Sequence, residues 1–183
     1  MNVGDWAVKR AVFPLTGDKT AFISGGRGFT YREFNRRVNR VADGLLAAGL
    51  KRQDRVAGMF FNGVEFMEVY FACAKLGLIF IPLNFRLTPA ELKGIFEDTD
   101  TRALFFHSEF ATAMGELLSL YKKPLEVVAA VGDTVPDFAR PYEEWIAACS
   151  EEEPAVSEAA GLEDPQLIMY TSGTTGRAKG AVL

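Results

Sequence analysis

Two apolar runs joined by one helix-length segment constrain this chain more than any other feature. Asp54 to Phe61 reads as a buried strand, and Asn62-Gly63 turns the chain. Val64 to Leu76 has the length and polarity of a helix, which Gly77 stops. Leu78-Ile79-Phe80-Ile81 is then a second short apolar strand, closed by Pro82. A tight turn would pair the two strands antiparallel. An intervening helix instead carries the chain back to start a parallel neighbour. A parallel sheet buries both of its faces, so the rest of the chain must supply helices on each side.

The flanking sequence supplies them. Ala21 to Ser24 and Phe29 to Tyr31 surround Gly25-Gly26-Arg27-Gly28, which predicts a short hairpin. Gly26-Arg27-Gly28 begins a dinucleotide-type glycine pattern, but Tyr31 stands where its third glycine belongs, so the segment is a turn. Thr30 and Glu33 form a capping-box pair ahead of a helix that Gly49 ends. Phe34, Val38, Val41, Leu45 and Leu46 share one face of that helix. Arg32, Arg36, Arg37 and Arg40 lie elsewhere on it, and a solvated face is preferred to an anion site. Thr88-Pro89-Ala90-Glu91 starts another helix, running to about Asp98. Strands are predicted over 102–106 and 127–131, and helices over 110–120 and 142–149. The polar stretch from Ser150 to Asp164 reads as a surface loop. The alternation predicts an α/β fold, a layered, parallel-rich sheet flanked by helices.

Composition narrows the function. The chain has 183 residues, 49% hydrophobic and 24% charged, which suits one domain or little more. A net charge of -4 argues against a nucleic-acid partner. The apolar run from Leu76 to Phe85 is too short for a transmembrane segment. The N-terminus has no basic start and no apolar signal core, so a cytoplasmic location is expected, with peripheral membrane attachment left open. Cys73 and Cys149 follow no metal-ligand spacing and read as idle thiols. His107 is the only histidine, which argues against a zinc site or a Ser-His-Asp triad within the chain.

The chemistry concentrates near the end. An apolar strand, Gln166 to Tyr170, runs into Thr171-Ser172-Gly173-Thr174-Thr175-Gly176-Arg177-Ala178-Lys179-Gly180, and a second apolar run follows. Glycines let backbone N–H groups approach an oxyanion. Hydroxyls donate to phosphate oxygens, and lysine adds a mobile positive charge. A Walker loop does not fit. Counting from Gly173, Ala178 replaces its second glycine and Gly180 replaces its Ser/Thr. The segment also lies between two apolar runs and does not lead from a strand into a helix.

The stretch Tyr170 to Gly180 resembles the signature of the adenylate-forming superfamily, which includes acyl-CoA synthetases, nonribosomal peptide adenylation domains and firefly-type luciferases. One departure is Ala178, where the family usually has proline. The similarity extends upstream through Phe29-Thr30-Tyr31-Arg32-Glu33, Asp54-Arg55-Val56, Ala74-Lys75-Leu76-Gly77 and Ile81-Pro82-Leu83-Asn84. These look like scaffold positions of the family's N-terminal subdomain.

The resemblance implies a two-step reaction. A carboxylate attacks the α-phosphate of ATP to give an acyl-adenylate and pyrophosphate, and a thiol, usually coenzyme A, then takes the acyl group. It implies that Thr171, Ser172, Gly173, Thr174, Thr175, Gly176 and Lys179 hold the β- and γ-phosphates, with Mg2+ accompanying ATP. The family's catalytic lysine and its magnesium-binding glutamate fall beyond Leu183. Residues 1–183 are therefore expected to be the N-terminal part of a large AMP-binding domain, with the catalytic residues within them unassigned and no metal ligand of their own. A fatty-acyl or similar acyl-CoA ligase is the preferred parent, acting on a carboxylic acid, ATP and CoA, with self-association left open. A peptide-synthetase adenylation domain, an aryl-CoA ligase or a non-catalytic nucleotide-binding module are the alternatives.

Overall fold

The computed structural model describes residues 3–13, 15–155, 161, 163–171 and 178–183. Its elements in chain order begin with α1 (Val3–Val12), the hairpin β1 (Thr20–Ser24) and β2 (Arg27–Thr30), and α2 (Tyr31–Ala47). Next come β3 (Arg55–Met59), α3 (Val64–Leu76), β4 (Ile79–Pro82), α4 (Pro89–Thr99) and β5 (Ala103–His107). A 3-10 turn (Ser108–Phe110) leads into α5 (Ala111–Leu120), β6 (Val127–Val131), β7 (Arg140–Pro141) and α6 (Tyr142–Ala147). A second hairpin, β8 (Ile168–Thr171) and β9 (Lys179–Val182), follows.

The α/β architecture is the expected one. A five-stranded sheet has the order β4-β3-β5-β6-β7, and each neighbouring pair is parallel. The chain leaves β3 through α3 to reach β4 on one side. It then returns through α4 to β5 on the other side. Right-handed crossovers in opposite directions place their helices on opposite faces. Strand periodicity divides the core in the same way. Val56, Phe80, Ala103 and Phe105 pack under α2, α3 and α6, with Phe34, Leu45, Phe71 and Tyr142. Ala57, Met59, Ile81, Leu104 and Phe106 pack on the opposite face with Leu92, Phe96, Met114 and Leu117 of α4 and α5. Gly58 belongs here for a steric reason. A Cβ at that position would lie 2.7 Å from the Phe80 ring.

Local signals account for the element ends. Gly25 and Gly26 turn the first hairpin at positive φ. Gly77 closes α3 in the left-handed conformation. At Thr88 the full capping box forms, with Pro89 at the helix start. At Thr30 only the forward half forms. Its side chain accepts from the Glu33 N–H at 3.1 Å, while the Glu33 carboxylate pairs with Arg27.

The structure also corrects several expectations. Neither α1 nor β7 was anticipated, and the helix expected over 142–149 ends at Ala147. The arginines of α2 do not form a plain solvated face. The Arg37 side chain is only 17% exposed, and its guanidinium grips the fully buried Glu68 and the surface Glu143. Tyr142 also donates to Glu68, at 2.8 Å. Burial works against the Arg37 charge, but the carboxylates of Glu143 and Glu68 outweigh it and drive its pKa up. Arg40 pairs with Glu151, and Arg32 with Asp18.

The described part of the expected surface loop is likewise a strap. The Glu153 carboxylate accepts from the Lys75 ammonium at 2.8 Å and from Asn35 at 2.7 Å. Asn39 holds the Glu151 carbonyl at 2.8 Å. Burial alone would raise the Glu153 pKa, but the bonds from Lys75 and Asn35 hold it below its ordinary value. Among the described residues, no buried side-chain polar atom lacks a hydrogen-bond partner. No helix among them is long and apolar enough to cross a membrane.

Candidate functional site: a hairpin neck at the carboxyl edge of the sheet

β8 and β9 pair antiparallel, with Ile168 opposite Val182, Met169 opposite Ala181, Tyr170 opposite Gly180 and Thr171 opposite Lys179. The glycine-rich segment therefore closes a hairpin, as its two flanking apolar runs require. Thr171 and Lys179 are thereby brought together across the neck of that loop, both exposed. Ser172, Gly173, Thr174, Thr175 and Gly176 lie outside the described residues.

The hairpin is tied to the edge of the main sheet. Leu167 bridges Phe80 in parallel sense, and the Phe80 N–H donates to the Gln166 carbonyl at 2.9 Å. Because β8 runs parallel to β4, the loop leaves at the carboxyl edge of the strands. Open α/β sheets bind their ligands at this edge. On the inner side, Ile168 and Tyr170 pack against the core beneath α4.

Between α4 and the hairpin neck is a cavity of about 180 Å³. Glu91, Gly94, Ile95 and Asp98 line it from the helix, and Tyr170 and Ala178 from the hairpin. The Tyr170 hydroxyl donates to Asp98 Oδ2 at 2.5 Å. Sequence reading gave Asp98 no part in the site. It lies 72 residues from Tyr170 and carries no local signal that would connect the two.

A second cavity, about 170 Å³, opens at the carboxyl ends of β3 and β5, where the strand order reverses. Phe61, Asn62, Gly63 and His107 line it. The lone histidine accepts the Glu109 N–H at Nδ1, at 3.3 Å, and its ring packs edge-on to Phe61. Phe110 joins the same edge, tilted against Phe61 and stacked with Phe85. Among the described residues, no three His, Cys, Asp or Glu side chains converge to hold a metal ion. Burial pushes the Cys73 thiol well above its ordinary pKa, so Cys73 is an inert core residue.

A doubly wound sheet with a hairpin whose neck, Thr171 and Lys179, stands at its carboxyl edge defines an α/β protein of the open-sheet class. The chain belongs to the AMP-binding enzyme family, which it matches over residues 10–183. It is 37% identical over 184 residues to a feruloyl-CoA synthase of Amycolatopsis sp, covering 100% of this chain and 33% of that protein. It is 35% identical over 163 residues to the fatty acid–[acyl-carrier-protein] ligase ScoC of Streptomyces coeruleorubidus, covering 89% of this chain and 29% of the other. Among solved structures it is similar to the anthranilate CoA ligase AuaEII in complex with anthranoyl-AMP. The TM-score is 0.89 at 26% identity, over 100% of this chain and 34% of that one. The chain thus spans about a third of the length of the curated relatives it matches.

Proposed function

We propose that residues 1–183 form the N-terminal part of the large domain of an acid–thiol ligase that works through an acyl-adenylate. The observation that carries this reading is the pairing of Thr171 with Lys179 across the loop neck, at the carboxyl edge of a sheet of this family. A tripolyphosphate is held by hydroxyl donors, backbone N–H groups and a cation drawn from one glycine-rich segment. Thr171, Ser172, Gly173, Thr174, Thr175, Gly176 and Lys179 offer that set. Their task is to hold the β- and γ-phosphates and to offset the charge that develops on pyrophosphate as it leaves.

In the first step a carboxylate oxygen bonds to the α-phosphorus and the bond to pyrophosphate breaks. In the second the sulfur of a thiol attacks the acyl carbon and AMP leaves. Coenzyme A is the proposed acceptor, since the feruloyl and anthranilate relatives are named for it. The proposed acid is a fatty or other acyl carboxylate, with aryl acids as the alternative that the same two names favour. The 183 residues alone are proposed to complete neither step, because the relatives continue well beyond this length.

The test is pyrophosphate–ATP isotope exchange by the full-length protein against fatty, aryl and amino acids. Exchange that depends on a fatty or aryl acid supports the ligase. Exchange driven by amino acids alone supports a peptide-synthetase module, and no exchange with any class supports a non-catalytic nucleotide-binding module.

A further inference from the structure

The neck of the phosphate loop is fastened from outside the loop. Tyr170 sits opposite Gly180, and a Cβ on Gly180 would come within 3.1 Å of Tyr170 Cζ and 2.9 Å of Ile168 Cγ2. The Tyr170 ring therefore lies across the bare face of Gly180. Folded this way, its hydroxyl reaches the last turn of α4 and donates to Asp98 Oδ2 at 2.5 Å. That helix is a firm post. Its start is fixed by the Thr88–Glu91 capping box, and its inner face is buried through Leu92, Ile95 and Phe96. At its end Asp100, in the left-handed conformation, accepts from Lys123 at 2.8 Å and from Arg55 at 3.1 Å.

The geometry points to Asp98 as a positioning residue for the phosphate loop, acting through Tyr170 and resting on the loop reading above. Thr171 and Lys179 are the next residues out from the clamped pair, so rotation of the neck moves both. A misplacement of this kind harms the reacting geometry far more than it harms stability. The proposal assigns the clamp to the nucleotide and not to the acid, which separates this role from general support of the fold.

The experiment uses the full-length protein and pyrophosphate–ATP exchange. Tyr170→Phe and Asp98→Ala should each raise the half-saturating ATP concentration about tenfold, the size of one hydrogen bond to a charged group. The half-saturating acid concentration should stay within about twofold, since a change that acts through the phosphate loop alone leaves acid binding as it was. Asp98→Asn retains an acceptor oxygen and should restore most of the loss. The double variant Asp98→Ala/Tyr170→Phe should be no worse than either single one, because both remove the same bond. Lys179→Ala serves as the reference for the loop itself. An ATP requirement that Lys179→Ala raises but Tyr170→Phe leaves unchanged would overturn the clamp alone. Additive single effects, or equal losses toward ATP and acid, would overturn it too. If no variant moves the ATP requirement, the phosphate-loop reading falls and the clamp falls with it.

Discussion

The five-stranded sheet and the β8–β9 hairpin are built on opposite terms. Every central strand of the sheet is covered on both faces by large apolar side chains. The hairpin is covered only in part. Ile168 and Tyr170 pack on the core, while Met169 is 46% exposed and all of β9, Lys179 to Val182, is exposed. Burial is worth about 1.5–3 kcal/mol for each large apolar side chain, so the sheet carries the stability of the chain. The hairpin contributes little to it and carries the groups suited to ATP. The comparison teaches that fold and proposed chemistry are separable here. They meet at Phe80, through its N–H bond to Gln166 and its bridge to Leu167, and at the Tyr170–Asp98 bond.

The comparison can be broken most severely at the sheet. Phe80 is fully buried, packs on Phe66 and Tyr70, and lies over Gly58. Phe80→Ala should cost about 3–5 kcal/mol in urea unfolding. A loss of about 0.5 kcal/mol or less, the range of surface changes, would contradict the division of labour.

The next effect in size concerns the strap. Glu153→Gln removes the carboxylate charge that accepts from the buried Lys75 ammonium, and should cost about 1–3 kcal/mol. Because the folded Glu153 pKa lies below its ordinary 4.5, its stabilisation is complete above that pH. It is lost as the pH falls through the lower folded value. Melting temperatures measured across the acid range should therefore fall less steeply in Glu153→Gln than in the parent. Parallel curves would remove Glu153 from the account.

The smallest effect sharpens the comparison. Val182→Ala should change the stability of the 183-residue chain by no more than about 0.5 kcal/mol, as for any exposed site. In the full-length protein the same change should cost about 1 kcal/mol or more where chain of the length its relatives have packs on β9. Equal small effects in both would show β9 to be an exposed edge in its own right.

Much of the sheet was legible because its signals are local. The helix over Val64–Leu76 and its left-handed Gly77, the Thr88 cap and the strand over Val127–Val131 all follow from adjacent residues. What was missed depends on distant partners. α1 packs against α2 and α3, contacts that no adjacent residue announces. β7 has two residues, too few to show a period. Arg37 read as solvated because nothing near it in sequence announces Glu68, buried on another helix. The strand-to-strand setting of the glycine-rich segment was legible from its two apolar flanks, and the β8–β9 pairing bears it out. Its fastening was not, since Asp98 and Tyr170 meet only after the sheet has formed.

One measurement bears most directly on the separation of fold from function: melting temperature and pyrophosphate–ATP exchange, taken on the same full-length Lys179→Ala protein. Lys179 is exposed at the loop neck and opposite Thr171, so its loss should leave the melting temperature within about 2 °C of the parent. Exchange should fall roughly ten- to a hundredfold, the cost of about 1.5–3 kcal/mol for one charge-assisted phosphate contact. A protein that melts many degrees lower yet exchanges at the parental rate would contradict the account.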